Sequence, residues 1–324
     1  MMPHPRVPHL LFVASVALGA TLPTPAAVSG GDGAAPAAGA PALEPAVRRA
    51  PPPKSFVRLT RDEDGAPAKL QTAVVRYGPA DDAADDLLVD LVAAVHVADR
   101  RYYKDLDELL GEYEALLYEL VKPDGAAVPD GRPVEAADPL SMIVSLGLDH
   151  LGLASQTDHI DYTRDNFVHA DLSPAEMWAK VEERGDDALS LALGVVADSI
   201  RQQNRMERRV AAGEAPASLS SLQDVDPLEL LFAPDGAMRM KRLFAEQLAG
   251  AALDVGLGET LDTLLIDDRN DACMRVFERE RSRGTRTIGI FYGAAHMPDL
   301  DRRLRDEFDL VPRKVVWVTA WDLR

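Results

Sequence analysis

Residues 87–95 carry eight apolar side chains and one interruption, Asp90. A run of that length without polar alternation suits a strand buried in a sheet. A second apolar stretch, 287–292, has the same character near the other end of the chain. Sheet-forming sequence at both ends therefore encloses whatever lies between.

The flanking patterns fill in the architecture. Residues 56–59 and 70–77 are rich in β-formers and surround an Asp64-Gly65 turn signal, which predicts an opening hairpin. Acidic residues 81–86 form a solvated loop. Tyr102, Leu106, Leu109, Leu110 and Tyr113 recur at helical spacing, and 115–121 reads as a further strand. Strand, helix, strand with a right-handed crossover makes the two strands parallel and brings their C-terminal ends to one edge. Residues 139–255 differ: helical periodicity runs through 140–151, 173–183, 188–209 and 238–255, with Ser173-Pro174-Ala175-Glu176 as a capped helix start. Helix 268–283, strand 287–292, helix 297–308 and strand 314–320 close the chain. The expected fold class is α/β (α+β), a central mixed, partly parallel β-sheet flanked by helices, with a helical insertion at about 139–255 of a single domain spanning 56–324.

Composition narrows the function. With 53 acidic against 35 basic residues in 324, the formal charge of −18 repels a phosphate backbone and an anionic membrane surface. Aromatic residues are few and scattered, so a base-stacking platform has no support, and no nucleic-acid partner is expected. A single cysteine, Cys273, can form neither an internal disulfide nor a thiolate cluster, which leaves any metal site to histidine and carboxylate. Residues 1–27 read as a secretory leader, with Arg6 before an eleven-residue apolar run at 10–20 and small residues near Ala26 and Ala27. Residues 28–55 are an Ala/Pro/Gly tether that cannot bury enough surface to order itself. The expectation is an exported protein of the bacterial periplasm or extracellular space, with no stable membrane insertion of the mature chain.

The sequence holds no Gly-rich phosphate loop, no His-Glu-x-x-His, no Gly-x-Ser-x-Gly and no Cys-x-x-Cys. What remains is positional. His96 follows strand 87–95, Glu119 lies near the end of strand 115–121, and His296 follows strand 287–292, so all three are expected at one sheet edge, where ligands of open α/β sheets bind. Two histidines and a carboxylate suit a divalent metal with an open position for water. Alternatively, a histidine is the general base and Glu119 sets its tautomer and charge. Ala93-Ala94-Val95-His96 and Gly293-Ala294-Ala295-His296 keep small residues before each imidazole, permitting close approach. Pro298 puts His296 at a helix N-terminus, where the dipole favours a neutral ring.

On these residues the chain resembles the TraB, GumN and TIKI superfamily, related more distantly to ChaN-like and erythromycin esterase-like proteins. That family carries two Gly-x-x-His motifs, a glutamate after the first and an arginine, often Arg-Asn, before the second. Gly293 to His296 matches fully, Arg269-Asn270 sits at the matching place, and Glu119 lies where the glutamate is expected; Ala93 replaces the first glycine. The resemblance implies a metal-dependent hydrolase acting on a peptide, amide or ester. His96 and His296 would be metal ligands or bases and Glu119 a ligand or acid/base. Arg269 would stabilise an oxyanion or a substrate carboxylate. The metal would be Mn, Co, Zn or Fe, and the partner a peptide or small-molecule substrate. Two alternatives stand beside it: haem or metal binding without turnover, and a degenerate signalling or scaffold member, which the alanine at 93 supports.

Between Asp149 and Asp171 histidines and aspartates crowd together. The segment is a polar connection between helices or a lid over the strand ends. In the latter reading His159 and Asp161 contact substrate; Asn270 is a further substrate contact or only the cap of its helix.

Overall fold

The computed structural model describes residues 53–80, 86–132, 147–187, 190, 201, 208, 233–254 and 266–324. The expected leader at 1–27, most of the tether at 28–55, and nearly all of the helix expected at 188–209 lie outside the described residues.

The opening hairpin is present. Strand β1 (Val57–Arg61) pairs antiparallel with β2 (Pro67–Pro79), with Gly65 in the left-handed region at φ +83° in the turn. The apolar run at 87–95 becomes β3 (Leu88–Ala94), antiparallel to β2. Short strand β4 (Val97–Asp99) leads into helix α1 (Arg100–Leu110), and β5 (Ala115–Tyr118) follows.

The middle of the chain contributes helices α2 (Pro174–Glu183) and α3 (Gly236–Asp254), as its periodicity predicts. Ser173 caps α2 in a full capping box with Glu176. Two strands in this stretch escaped the pattern. β6 (Leu153–Ser155) pairs with β4, and β7 (Phe167–His169) extends the main sheet beside β5. Each is three residues long, too short for alternation to register. Helix α4 (Asp268–Ser282), strand β8 (Thr287–Gly293), helix α5 (Met297–Phe308) and strand β9 (Leu310–Asp322) complete the fold.

The result is a mixed, seven-stranded sheet in the order β1-β2-β3-β8-β5-β7, with β9 on the free side of β2. β8 lies between β3 and β5, and all of β3, β8, β5 and β7 run parallel. Two apolar cores cover the two faces. Tyr102, Leu106 and Leu110 of α1 and Ala245 of α3 pack with Val92, Leu116 and Phe291 on one side. Cys273 and Phe277 of α4 and Leu300 and Leu304 of α5 pack with Leu91, Leu117 and Ile290 on the other. Covered faces explain why the central strands are apolar throughout.

Gly289 in β8 permits this packing, because a Cβ there would stand 2.6 Å from Leu116 Cδ1 and 2.7 Å from Tyr113 Cδ2. Gly289→Ala should therefore lower stability by about 1–3 kcal/mol, read as a lower urea midpoint.

Candidate functional site

Four parallel strands deliver four loops to one edge. Ala94 is in register with Gly293, and Tyr118 with both Phe291 and His169, so the strands end nearly level. Just beyond those ends stand His96, Glu119, Asp171 and His296. Helix α4 begins at the same edge and buries Arg269 and Asn270 in its first turn.

Arg269 is the centre of the cluster. Its Nε and Nη2 donate to the two carboxylate oxygens of Asp171 at 2.9 and 2.6 Å, and Nη2 also donates to Glu119 Oε1 at 2.7 Å. The other Glu119 oxygen accepts the Gly293 backbone N–H at 2.6 Å. Burial alone would push the Glu119 carboxyl up; the Arg269 charge, followed by His296 and His96, outweighs it and holds Glu119 well below the usual carboxylate range. Glu119 is thus a fixed anion. The guanidinium is in turn raised by Glu119 and Asp171 against the cost of its own burial.

His296 is the N-cap residue of α5 and only 3 % exposed. Asn270 Nδ2 donates to the His296 carbonyl at 3.3 Å and to Asp299 at 2.9 Å, so Asn270 Oδ1 is left to accept from His296 Nδ1 at 2.8 Å. This fixes the tautomer. Neutral, the ring presents its Nε2 lone pair to Glu119 Oε1, 3.5 Å away; protonated, it becomes a donor to that carboxylate.

His96 is half-buried, and among the described residues its imidazole has no hydrogen-bond partner. All three groups surround Gly293. A Cβ on that glycine would lie 3.2 Å from Glu119 Oε2, 3.7 Å from His96 Nε2 and 3.8 Å from His296 Cδ2. The glycine keeps open the space on which they converge.

The structure therefore brings together His96, Glu119, Arg269, Asn270 and His296. It does not bring Asp161 with them: Asp161 accepts from the backbone N–H and hydroxyl of Thr163 in a local turn, and its own N–H reaches Asp107. His159 packs edge-on to Tyr103 at 6.1 Å. Among the described residues no hydrogen bond or ring contact joins His159 or Asp161 to the cluster. Asp171 belongs to it too, although in the sequence it is one aspartate of a polar run. Its signal was its place, two residues after a strand ending at the same edge. Asn270 holds a histidine rather than facing outward, and it is fully buried.

Among the described residues no group of three or more His, Cys, Asp or Glu side chains is assembled to hold a metal ion. Both Glu119 oxygens already accept hydrogen bonds, and the Arg269 cation occupies the one nearest His296. As placed, the cluster fits a proton-transfer site better than a metal centre.

Compared with known proteins, the chain matches no family model, no curated protein and no solved structure.

Arg269→Met would leave two buried carboxylates facing each other without a cation. The expected cost is about 3–5 kcal/mol of unfolding free energy, measured by urea denaturation at neutral pH. Glu119 gives a second prediction with a definite sign. Its folded pKa is depressed, so its stabilisation is present above the ordinary carboxylate value of about 4.3 and is lost as pH falls toward the folded value. The stability gap between wild type and Glu119→Gln should narrow as pH falls below about 4.

Proposed function

We propose that the chain is an exported hydrolase of peptide, amide or ester bonds, working at the C-terminal edge of β3, β5 and β8. The observation that carries this reading is the convergence of His96, Glu119 and His296 on the space above Gly293, with the His296 tautomer set by Asn270. The resemblance to the TraB and TIKI group supports it, as does the edge itself, where open α/β sheets bind ligands.

The side chains have distinct capacities. His96, half-buried and unpartnered among the described residues, is placed to take a proton from an attacking water. His296 faces Glu119, so an imidazolium there is held by a neighbouring anion and can pass its Nε2 proton to the leaving nitrogen or oxygen. Water then adds through its oxygen to the carbonyl carbon, the carbon–heteroatom bond breaks, and solvent returns the two histidines to their starting charges. Glu119 is too firmly anionic to serve as the base. Arg269, closed in by Glu119 and Asp171, acts as a positioning residue that fixes both carboxylates. The metal-dependent form of the expected activity has no assembled donor set among the described residues, and the proton transfers above proceed without one.

The test is hydrolysis of a mixed panel of chromogenic peptide anilides and aryl esters, paired with elemental analysis and an absorption spectrum. Turnover by metal-free protein, abolished in His96→Ala and in His296→Ala with circular dichroism unchanged, is expected. Stoichiometric metal lost in the double variant would move water activation to the metal. A Soret band with no turnover would sink the hydrolase reading in favour of haem binding.

Gly293→Ala is the sharper variant, because it adds one methyl to the space between the three groups. The chain should stay folded, since the nearest contact is 3.2 Å from a carboxylate oxygen. Activity should fall, because the methyl occupies the space on which the three groups converge and presses on Glu119 Oε2.

A further inference from the structure

Gln156 is the first residue of a short 3-10 turn (Gln156–Asp158) that follows β6, and it is 7 % exposed. Its side-chain Oε1 is the one buried side-chain nitrogen or oxygen without a hydrogen-bond partner among the described residues. Such an atom is costly to bury, and a functional contact is one of the few reasons a fold retains it.

Its surroundings connect it to both sides of the site. The Gln156 backbone N–H donates to the His96 carbonyl at 2.9 Å. The Gln156 Nε2 donates to the Tyr162 hydroxyl at 2.7 Å, and the Tyr162 ring stacks edge-on against Tyr118 at 5.1 Å, the residue before Glu119. Tyr162 is buried, and burial, reinforced by the Glu119 charge, pushes its phenol up, so it stays a protonated donor. With its oxygen accepting from Gln156, the Tyr162 proton has no acceptor among the described residues.

The pair therefore has an acceptor and a donor to spare. If the amide is turned over, Tyr162 donates to Gln156 Oε1. The free acceptor is then the phenol oxygen and the free donors are on Nε2. Either way round, unused donors lie beside an unused acceptor. A secondary amide offers the complement, a carbonyl oxygen and an N–H; an ester offers only the oxygen.

We propose that Gln156 and Tyr162 form a subsite for an amide group beside the His96–Glu119–His296 centre, so that the substrate class is a peptide or other secondary amide rather than an ester. This rests on the hydrolase reading and narrows it. It also assigns a role within the stretch 149–171 to residues other than His159 and Asp161.

The experiment compares a peptide p-nitroanilide with a p-nitrophenyl ester of the same acyl group, in wild type, Gln156→Leu, Tyr162→Phe and the double variant. The amide-to-ester ratio of kcat/KM should fall about tenfold in each single variant, as expected for one lost hydrogen bond. The double variant should melt no lower than wild type, because it removes the stranded polar atoms together. Equal loss on both substrates, or an unchanged ratio, overturns the subsite while leaving the hydrolase reading intact. If wild type turns over neither substrate, the hydrolase reading fails instead, and calorimetric titration with an N-acetyl tripeptide methylamide decides the subsite. Binding weakened in Gln156→Leu upholds the subsite, and no binding to wild type overturns it.

Discussion

One guanidinium organises the edge of this sheet. Arg269 spans from the first turn of α4 to Asp171 after β7 and Glu119 after β5, so a single buried cation ties a helix to two strands. Taking these charges out of water costs several kcal/mol per ion before their attraction is counted, and such pairs rarely repay it as net stability. The arrangement is better understood as a device for holding carboxylates in defined positions. With Glu119 held, the Gly293 N–H has an acceptor and His296 faces a fixed anion.

The fold was readable where its physics is periodic. The apolar run at 87–95 suits an interior strand, and helices covering both faces of the sheet bear that out. The hairpin, helix α4, helix α5 and the capping box at Ser173 follow patterns of three to four residues or more, long enough for sequence to display them. The parallel pair expected between β3 and β5 was less direct, because β8 from the far end of the chain inserts between them. Crossover logic gives direction but not strand order. β6 and β7 left no periodic trace, so a stretch expected to be helical also supplies one edge of the sheet.

At the site, legibility depended on position rather than residue type. His96, Glu119 and His296 follow strands, and the topology gathers whatever follows parallel strands at one edge. Asp171 obeys the same rule, but its strand was invisible and so was its role. His159 and Asp161 were singled out by composition alone, and Asp161 turns out to close a local turn. Asn270 shows the other limit. Its place in an Arg-Asn pair suggested importance, yet the hydrogen bond that orients the His296 ring is made across 26 residues and no local pattern encodes it.

The two ends of the central strands offer an internal comparison. Near the start of β3, Asp90 is 2 % exposed and paired bidentately with Arg76 at 2.8 and 2.7 Å, with the Tyr113 hydroxyl as a further donor at 2.9 Å. One cation meets one anion there, and three donors reach the carboxylate. At the opposite end one cation meets two anions, Glu119 and Asp171, leaving a formal charge of −1 beside two imidazoles. The first arrangement is balanced in charge. The second is not, and its surplus anion, Glu119, lies 3.5 Å from His296 Nε2. The same strands thus carry a charge-balanced ion pair at one end and an unbalanced one at the other.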